Sequence, residues 1–81
     1  MAYTPRLIAR DVTGAVIQPG DILLDLQGLA WLFKIATRMA TPDLPGRVLV
    51  GFPSNPNSFG REFDESVFQV NVSPNSEYEG E

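Results

Sequence analysis

Closely spaced turn signals are the feature of this sequence that most limits its fold. The chain of 81 residues contains 7 Gly and 7 Pro, and most of them lie in short segments between apolar runs. The pieces between these segments are too short for several long helices, but their length suits β-strands. The sequence therefore predicts an all-β domain. The signals are Thr13-Gly14, Pro19-Gly20, Gln27-Gly28, Pro45-Gly46, Ser73-Pro74 and residues 53–60.

The clearest hairpin in the sequence pairs residues 21–26 with residues 29–38 through a two-residue turn. Gly28, at the second turn position, accepts the positive φ of a primed turn. In this register Leu24 faces Trp31, and alternation turns one side of the hairpin toward the core. Asp21 faces Lys34 on the other side. The predicted core side consists of Ile22, Leu24, Leu26, Leu29, Trp31 and Phe33.

The same register leaves an apolar strip on the outer side of the sheet. Leu23 lies opposite Leu32 in it. In the following hairpin, placing Ile35 opposite Val50 brings Leu49 beside them. Contiguous exposed apolar residues of this kind mark interaction surfaces, whereas scattered ones need no explanation. We therefore predict a partner-binding strip of Leu23, Leu32, Leu49, Ala30 and Ala36, with polar contacts from Arg38 and Arg47.

Two further segments, residues 47–52 and residues 68–72, alternate with the period of a strand. The same parity assigns Trp31 and Phe33 to the core rather than to an exposed platform on which bases or rings stack. The side chains predicted to point inward from the two segments are Val48, Val50, Phe52, Phe68, Val70 and Val72.

A long loop, a short strand, one helical turn and a final strand follow each other near the C-terminal end of the chain. The helical turn, residues 64–67, has Asp64 as a fair N-cap. This order resembles the SH3-like barrel, in which a 3-10 turn precedes the closing strand. The sequence therefore predicts one small SH3-like β-barrel of about five to six strands over residues 1–72, with one 3-10 turn before the last strand. The acidic tail, residues 73–81, is predicted to be disordered.

The composition removes the side chains that catalysis and metal binding use most often. The chain has 0 Cys and 0 His, so it offers no thiolate ligand, no imidazole ligand and no histidine base. The acidic group of Glu62, Asp64 and Glu65 lacks the ligand pattern of a calcium loop. We predict that the protein is not an enzyme and uses no cofactor and no metal.

The charge distribution gives little support to nucleic-acid binding. The net charge is -4, and Glu77, Glu79 and Glu81 supply much of the excess, so the remainder is nearly neutral and has no strong basic footprint. The N-terminal residues lack the pattern of a secretion signal, and no stretch approaches the roughly 20 apolar residues of a membrane helix. We expect a soluble protein of a reducing cytoplasm, without membrane contact.

A second resemblance rests on residues scattered over most of the chain. They are Pro19-Gly20-Asp21, Asp25, Gly28, Trp31, Phe33, Gly46-Arg47-Val48, Arg61-Glu62-Phe63 and Ser66-Val67-Phe68. In these residues the chain is similar to small conserved proteins encoded by actinobacterial phages, of the mycobacteriophage type, which carry no assigned activity. Those relatives tend to have an aromatic and a basic residue before the loop glycine, where this chain has Leu26 and Gln27. The resemblance implies a phage origin and the SH3-like fold.

Three functions therefore remain open at the level of the sequence. The first is a phage-encoded, non-enzymatic protein-interaction module that docks a host or phage protein in the host bacterial cytoplasm, or associates with itself, through the predicted strip. The second is a minor virion structural protein, such as a connector or tail accessory. The third is a small nucleic-acid-binding barrel that uses Arg6, Arg10, Arg38 and Arg47. The alternative to an exposed strip is that residues 1–5, with Tyr3, cover it.

Overall fold

The structure is a computed structural model that describes residues 6–55, 57 and 59–75. The described residues form strands and turns, with no α-helix among them, so the prediction of an all-β chain is confirmed. One 3-10 turn, Glu65–Val67, precedes the last strand, as predicted. The strands are β1 (Leu7–Arg10), β2 (Ile22–Leu24), β3 (Ala30–Arg38), β4 (Arg47–Gly51), β5 (Arg61–Asp64) and β6 (Asn71–Pro74).

The strands form two antiparallel sheets. One sheet has the order β2-β3-β4-β5, and the other consists of β1 and β6. Within the described ranges no strand ladder joins the two sheets, and they are not closed into a barrel. A groove of about 460 Å³ is lined by β1, residues 16–19 and the middle of β3. The two-layer packing therefore comes from side chains between the sheets, not from continuous backbone pairing.

The core lies between the two sheets and is centred on β4. Val48 and Val50 are fully buried, and the predicted inward alternation of Phe68, Val70 and Val72 is confirmed by their burial. Alternation along β4 accounts for the burial of Val48 and Val50. Phe68, by contrast, lies in the turn before β6, where Gln69 has φ 56°, so strand alternation does not account for its burial. The buried apolar set is Ala9, Ile17, Phe33, Ala36, Val48, Val50, Phe68, Val70 and Val72.

The predicted register of the first hairpin is wrong by one residue. Leu23 pairs with Trp31 and Leu24 pairs with Ala30, because the turn has three residues instead of two. The amide of Gly28 donates to the Asp25 carbonyl, and Gly28 has φ 85°, which is the geometry of a type I turn closed by a bulge glycine. A slip of one residue exchanges the two faces of a strand. Leu23 therefore packs against the core, whereas Ile22 and Leu24 are exposed.

The slip also overturns two other expectations for this hairpin. Leu26 and Leu29 are exposed loop residues, not core residues. Asp21 lies opposite Phe33, whose amide donates to the Asp21 carbonyl, so the predicted pairing of Asp21 with Lys34 is not formed. On the partner strand, the prediction that Phe33 and Trp31 face the core is confirmed, since Phe33 is buried and Trp31 packs against the core.

A β-bulge at Lys34 changes the facing of residues along β3. Phe33 pairs with Val50, but Ile35 pairs with Leu49, so β3 has one extra residue between these pairs. The predicted pairing of Ile35 with Val50 is therefore wrong. After the bulge, Ile35 points outward, and Ala36, predicted to point outward, is buried in the core.

The C-terminal part of the described chain continues past the predicted domain boundary at residue 72. β6 extends through Pro74. The backbone N–H of the buried Asn75 donates a hydrogen bond to the Arg6 carbonyl at 2.9 Å. Asp64 occupies the N-cap position of the 3-10 turn, as predicted, although its side chain makes no capping hydrogen bond. Residues 76–81, the rest of the predicted tail, lie outside the described residues.

The burial of Val48 gives a test of where the core lies. Val48→Ala should lower the free energy of unfolding by about 2 kcal/mol, because it removes fully buried methyl groups and leaves a cavity. The matched control is Val12→Ala, since Val12 is 78% exposed, and its effect should stay within about 0.5 kcal/mol. Urea denaturation followed by Trp31 fluorescence measures both. Equal losses in the two variants would contradict this core.

Candidate functional site

The face of the four-stranded sheet turned away from β1 and β6 carries a contiguous set of apolar side chains. Ile22 pairs with Leu32 across β2 and β3, and Ile35 pairs with Leu49 across β3 and β4. Leu32 also pairs with Gly51. Gly51 and Leu49 are two apart on β4 and face the same way, so both pairs lie on one side of the sheet. We call this surface the outer apolar face. Its members are Ile22, Leu24, Ala30, Leu32, Ile35 and Leu49.

Exposure differs across the outer apolar face. Ile22 is 52% exposed and Leu24 is 61% exposed, whereas Leu32, Ile35 and Leu49 are half-buried by their neighbours. Among the large apolar residues of this face, exposure is therefore greatest along β2, one of the two end strands of the sheet. Each large apolar side chain left in water forgoes about 1.5 to 3 kcal/mol of the stabilisation that full burial would give.

The predicted strip and the outer apolar face overlap only in part. Leu32, Leu49 and Ala30 lie on this face, as the prediction placed them. Leu23 and Ala36 lie on the opposite, core-facing side, because the turn and the bulge reverse their facing. Sequence reasoning missed Ile22, Leu24 and Ile35 as members of this face. The spacing of Asp25 and Gly28, typical of a type I turn closed by glycine, is the signal that could have found the first two.

The side chain of Lys34 extends the apolar surface toward β4. A Cβ added to Gly51 would lie 2.6 Å from Lys34 Cε, so the alkyl stem of Lys34 passes over this glycine. Gly51 pairs with Leu32, which places the stem beside the outer apolar face. A lysine stem covers apolar surface while its ammonium group stays near water. Gly51 thus makes room for this arrangement.

A polar rim borders the outer apolar face on the side of β5. Arg47 Nε lies 3.0 Å from Glu62 Oε1, and Arg47 Nη1 lies 3.7 Å from Asp64 Oδ1. The Nε group is buried and not aligned for a hydrogen bond, so its contact with Glu62 is ionic, while Arg47 Nη2 donates to the Glu62 carbonyl at 3.0 Å. Glu62 pairs with Leu49. The ion pair therefore ends the apolar surface.

Arg38, predicted to make a polar contact beside the strip, lies opposite Arg47. Its Nε and Nη2 groups donate to the Pro45 carbonyl at 3.1 and 2.9 Å, so the guanidinium holds the loop between β3 and β4. Arg10 similarly donates from Nη1 to the Gly14 carbonyl at 3.0 Å. Arg10, Arg38 and Arg47, which the nucleic-acid hypothesis assigned to phosphate, are thus bonded to oxygens of this chain.

The core-facing side of the same sheet carries a row of aromatic rings. Trp31 lies 5.4 Å from Phe52 and 5.0 Å from Phe63, centroid to centroid, and Phe63 lies 5.8 Å from Phe68. Phe52, predicted to point into the core, is 45% exposed at the outer end of this row. Edge-on and tilted ring contacts of this kind add to the stabilisation from burial. The row therefore connects the partly open end of the sheet to the core.

Two loops of the chain share one hydrogen-bonding pattern. In each, an aspartate accepts hydrogen bonds from the amides two and four residues later, and the glycine three residues later donates to the aspartate carbonyl. The loops begin at Asp11 and at Asp25, and their glycines, Gly14 and Gly28, have φ 89° and 85°. The aspartate side chain thereby fixes the turn type.

The two aspartates differ in the side chain that each binds. Asp25 Oδ2 accepts a hydrogen bond from Trp31 Nε1 at 3.1 Å, and this bond is the main cause that lowers the pKa of Asp25. Asp11 Oδ1 accepts from the Thr13 hydroxyl, which is the main cause that lowers the pKa of Asp11. Asp25 thus links the hairpin turn to the aromatic row.

The acidic group near the 3-10 turn is committed to contacts within the fold. Glu62 and Asp64 pair with Arg47, and Glu65 Oε1 accepts a hydrogen bond from the amide of Val72 at 3.2 Å. Among the residues that the structure describes, no group of three or more acidic side chains is placed to hold a metal ion. In the same part of the chain, no helix has the length and apolar character needed to cross a membrane.

No protein-family model, no curated protein and no solved structure matches this chain. The structure and the sequence are therefore the basis for any proposal about its function.

Trp31→Phe tests the link between Asp25 and the aromatic row. The folded pKa of Asp25 lies below its ordinary value of 3.8, so the bond stabilises the fold above that pH and the stabilisation is lost as the pH falls through the folded pKa. Removing the indole donor should raise the pKa of Asp25 toward 3.8 and reduce this loss. Asp11 serves as the internal control, because its donors remain. Carboxyl NMR titration measures both, and an unchanged Asp25 pKa would refute the link.

Proposed function

We propose that this chain is a non-enzymatic protein-interaction module that docks a host or phage protein through its outer apolar face. The observation that carries the proposal is the continuous apolar surface across β2, β3 and β4, on the side away from the core. Its centre is apolar and its rim is the Arg47 ion pair, and interfaces commonly have this arrangement. A second copy of the chain is an alternative occupant of the same surface.

The energetics of a small domain support this proposal. A chain of this size buries only about 60% of the surface that its unfolded form exposes, so its stability is marginal. Placing Ile22 and Leu24 in water forgoes burial that would otherwise stabilise it. A partner that covers them recovers this contribution.

The ionisable side chains also favour binding over catalysis. The Asp25 carboxylate accepts hydrogen bonds from its hairpin turn and from the Trp31 indole. Arg38 donates to a loop carbonyl, and Glu65 accepts a hydrogen bond from a strand amide. Such groups are bound in structural contacts and are not gathered around a space where a substrate could react. This use of charge, with 0 His and 0 Cys in the sequence, supports a role without catalysis.

The origin and the finer fold belong to the same proposal. The resemblance carried by the residues around Trp31, Gly46 and Phe63 is the basis for proposing an actinobacteriophage protein that acts in the host cytoplasm. The order of β5, a 3-10 turn and β6, with β1 paired to β6, supports an SH3-like arrangement in which both sheets line the groove.

Leu32→Asp tests the outer apolar face. An aspartate at the centre of a docked apolar surface would be buried without a partner, so association should weaken by at least about a hundredfold. Val12→Asp is the matched control, because Val12 is exposed in a loop away from this face. Light scattering after size-exclusion chromatography measures self-association, and a photo-crosslinker at Ala30, used in the native host, measures docking of another protein.

The proposal requires that Leu32→Asp remove the complex and that Val12→Asp retain it. A wild-type chain that stays monomeric and yields no crosslinked protein would overturn it. Equal complexes in both variants would overturn it as well.

A further inference from the structure

The outward edge of β2 presents backbone groups that the sheet does not use. Phe33 donates its amide to the Asp21 carbonyl, and Asp25 donates its amide to the Leu29 carbonyl. Bonded and non-bonded positions alternate in an antiparallel pair. The backbone N–H and C=O groups of Leu23 therefore point toward β3, whereas those of Ile22 and Leu24 point away from it.

β2 is at the end of the four-stranded sheet. In the described part of the chain, no backbone hydrogen bond reaches the outward groups of Ile22 and Leu24. Such a row of donors and acceptors is a template for another strand.

We propose that the edge of β2 binds an extended strand of a partner protein in which two apolar residues are flanked by Lys or Arg. This inference rests on the proposed function, because the added strand would continue the outer apolar face. The occupant is defined by the side chains that β2 presents along its length.

Alternation along β2 sets what each partner residue meets. Asp21, Leu23 and Asp25 share one side of the strand, and Ile22 and Leu24 share the other. In an antiparallel added strand, the residue opposite Leu23 has an apolar neighbour on each side that packs beside Ile22 or Leu24. The residues two positions away lie opposite Asp21 and Asp25, where a cation is favoured.

The two carboxylates are held in place at the ends of β2. Asp21 Oδ2 accepts a hydrogen bond from the Gln18 amide at 2.9 Å. Asp25 is fixed by the amides of Gln27 and Leu29 and by the Trp31 indole. Four residues of strand separate the carboxylates by about 13 Å along the chain. The negative charges are thus pre-positioned for a partner with the matching spacing.

The same charges disfavour a second copy of this chain at the β2 edge. An antiparallel pair of β2 strands centred on Leu23 would place Asp21 of each copy opposite Asp25 of the other, and like charges directly opposite each other are destabilising. The other end of the sheet is β5, whose Arg61, Glu62 and Asp64 make it the charged type of edge that resists pairing. The β2 edge therefore selects a basic, apolar strand.

The test uses an acetylated, amidated peptide, Thr-Lys-Val-Thr-Val-Lys-Thr, titrated into the full chain labelled with nitrogen-15. We expect the amide resonances of Ile22 and Leu24 to shift and their exchange with solvent to slow. A peptide with Glu in place of both Lys should bind at least about tenfold more weakly. A peptide N-methylated at both Val residues should show no measurable binding, because it cannot donate to the outward carbonyls.

A matched pair of variants isolates the backbone contribution. Leu24→Ala and Leu24→Pro both remove the leucine isobutyl group, but only proline removes the outward N–H, and neither variant removes a hydrogen bond between β2 and β3. The proline variant should bind the lysine peptide at least about tenfold more weakly than the alanine variant. The Trp31 indole resonance reports whether each variant is folded, and the N-methylated peptide supplies the same test without any substitution.

The inference would be overturned by equal binding of the Lys and Glu peptides, by resonance shifts confined to other strands, or by a wild-type dimer that Leu24→Pro converts to a monomer. The last result would make a second copy the occupant.

This experiment separates the inference from the proposed function. Failure of the peptide to bind, with loss of association in Leu32→Asp, would overturn the edge inference alone. Peptide binding at β2, with association unchanged in Leu32→Asp, would overturn the outer apolar face alone.

Discussion

The hydrogen bonds of the Asp25 side chain determine which residues of the first hairpin face water. Its carboxylate accepts from the amides of Gln27 and Leu29 and so favours a three-residue turn that ends in Gly28. This turn, and not the apolar pattern, sets the register, because a shift by one residue exchanges the faces of β2. The bond from Trp31 to the same carboxylate joins the turn to the aromatic row. Register and core packing therefore depend on one side chain.

The bulge at Lys34 in β3 also changes which residues face water. It reverses the facing of β3, so that Ala36 enters the core and Ile35 turns outward beside Leu49. A short residue suits the position opposite the fully buried Val48, because a larger side chain there would overpack the core. The turn and the bulge together transfer branched apolar side chains to the outer side of the sheet.

The sequence predicts well those elements in which alternation is unbroken. The all-β class, the burial of Val48 and Val50, the burial of Val70 and the single 3-10 turn all follow from local pattern. The outer apolar face could be predicted only in part, since Leu32 and Leu49 were placed correctly and Leu23 was not. Two-residue and three-residue turns both place Gly28 at positive φ. The choice between them rests on side-chain bonds that spacing alone does not reveal.

The exposed apolar residues of β2 and the aspartates that flank it both affect which strands can pair with its edge. An apolar edge strand without charges would invite pairing with identical copies. Asp21 and Asp25 oppose that pairing through charge repulsion. Because they lie at the two ends of β2, they leave the backbone groups of Ile22 and Leu24 between them accessible. Charge at these positions therefore disfavours the pairing of two β2 edges while leaving the edge open to a strand of opposite charge. The same aspartates that build the turns of this small fold thus also determine which strands can extend its sheet.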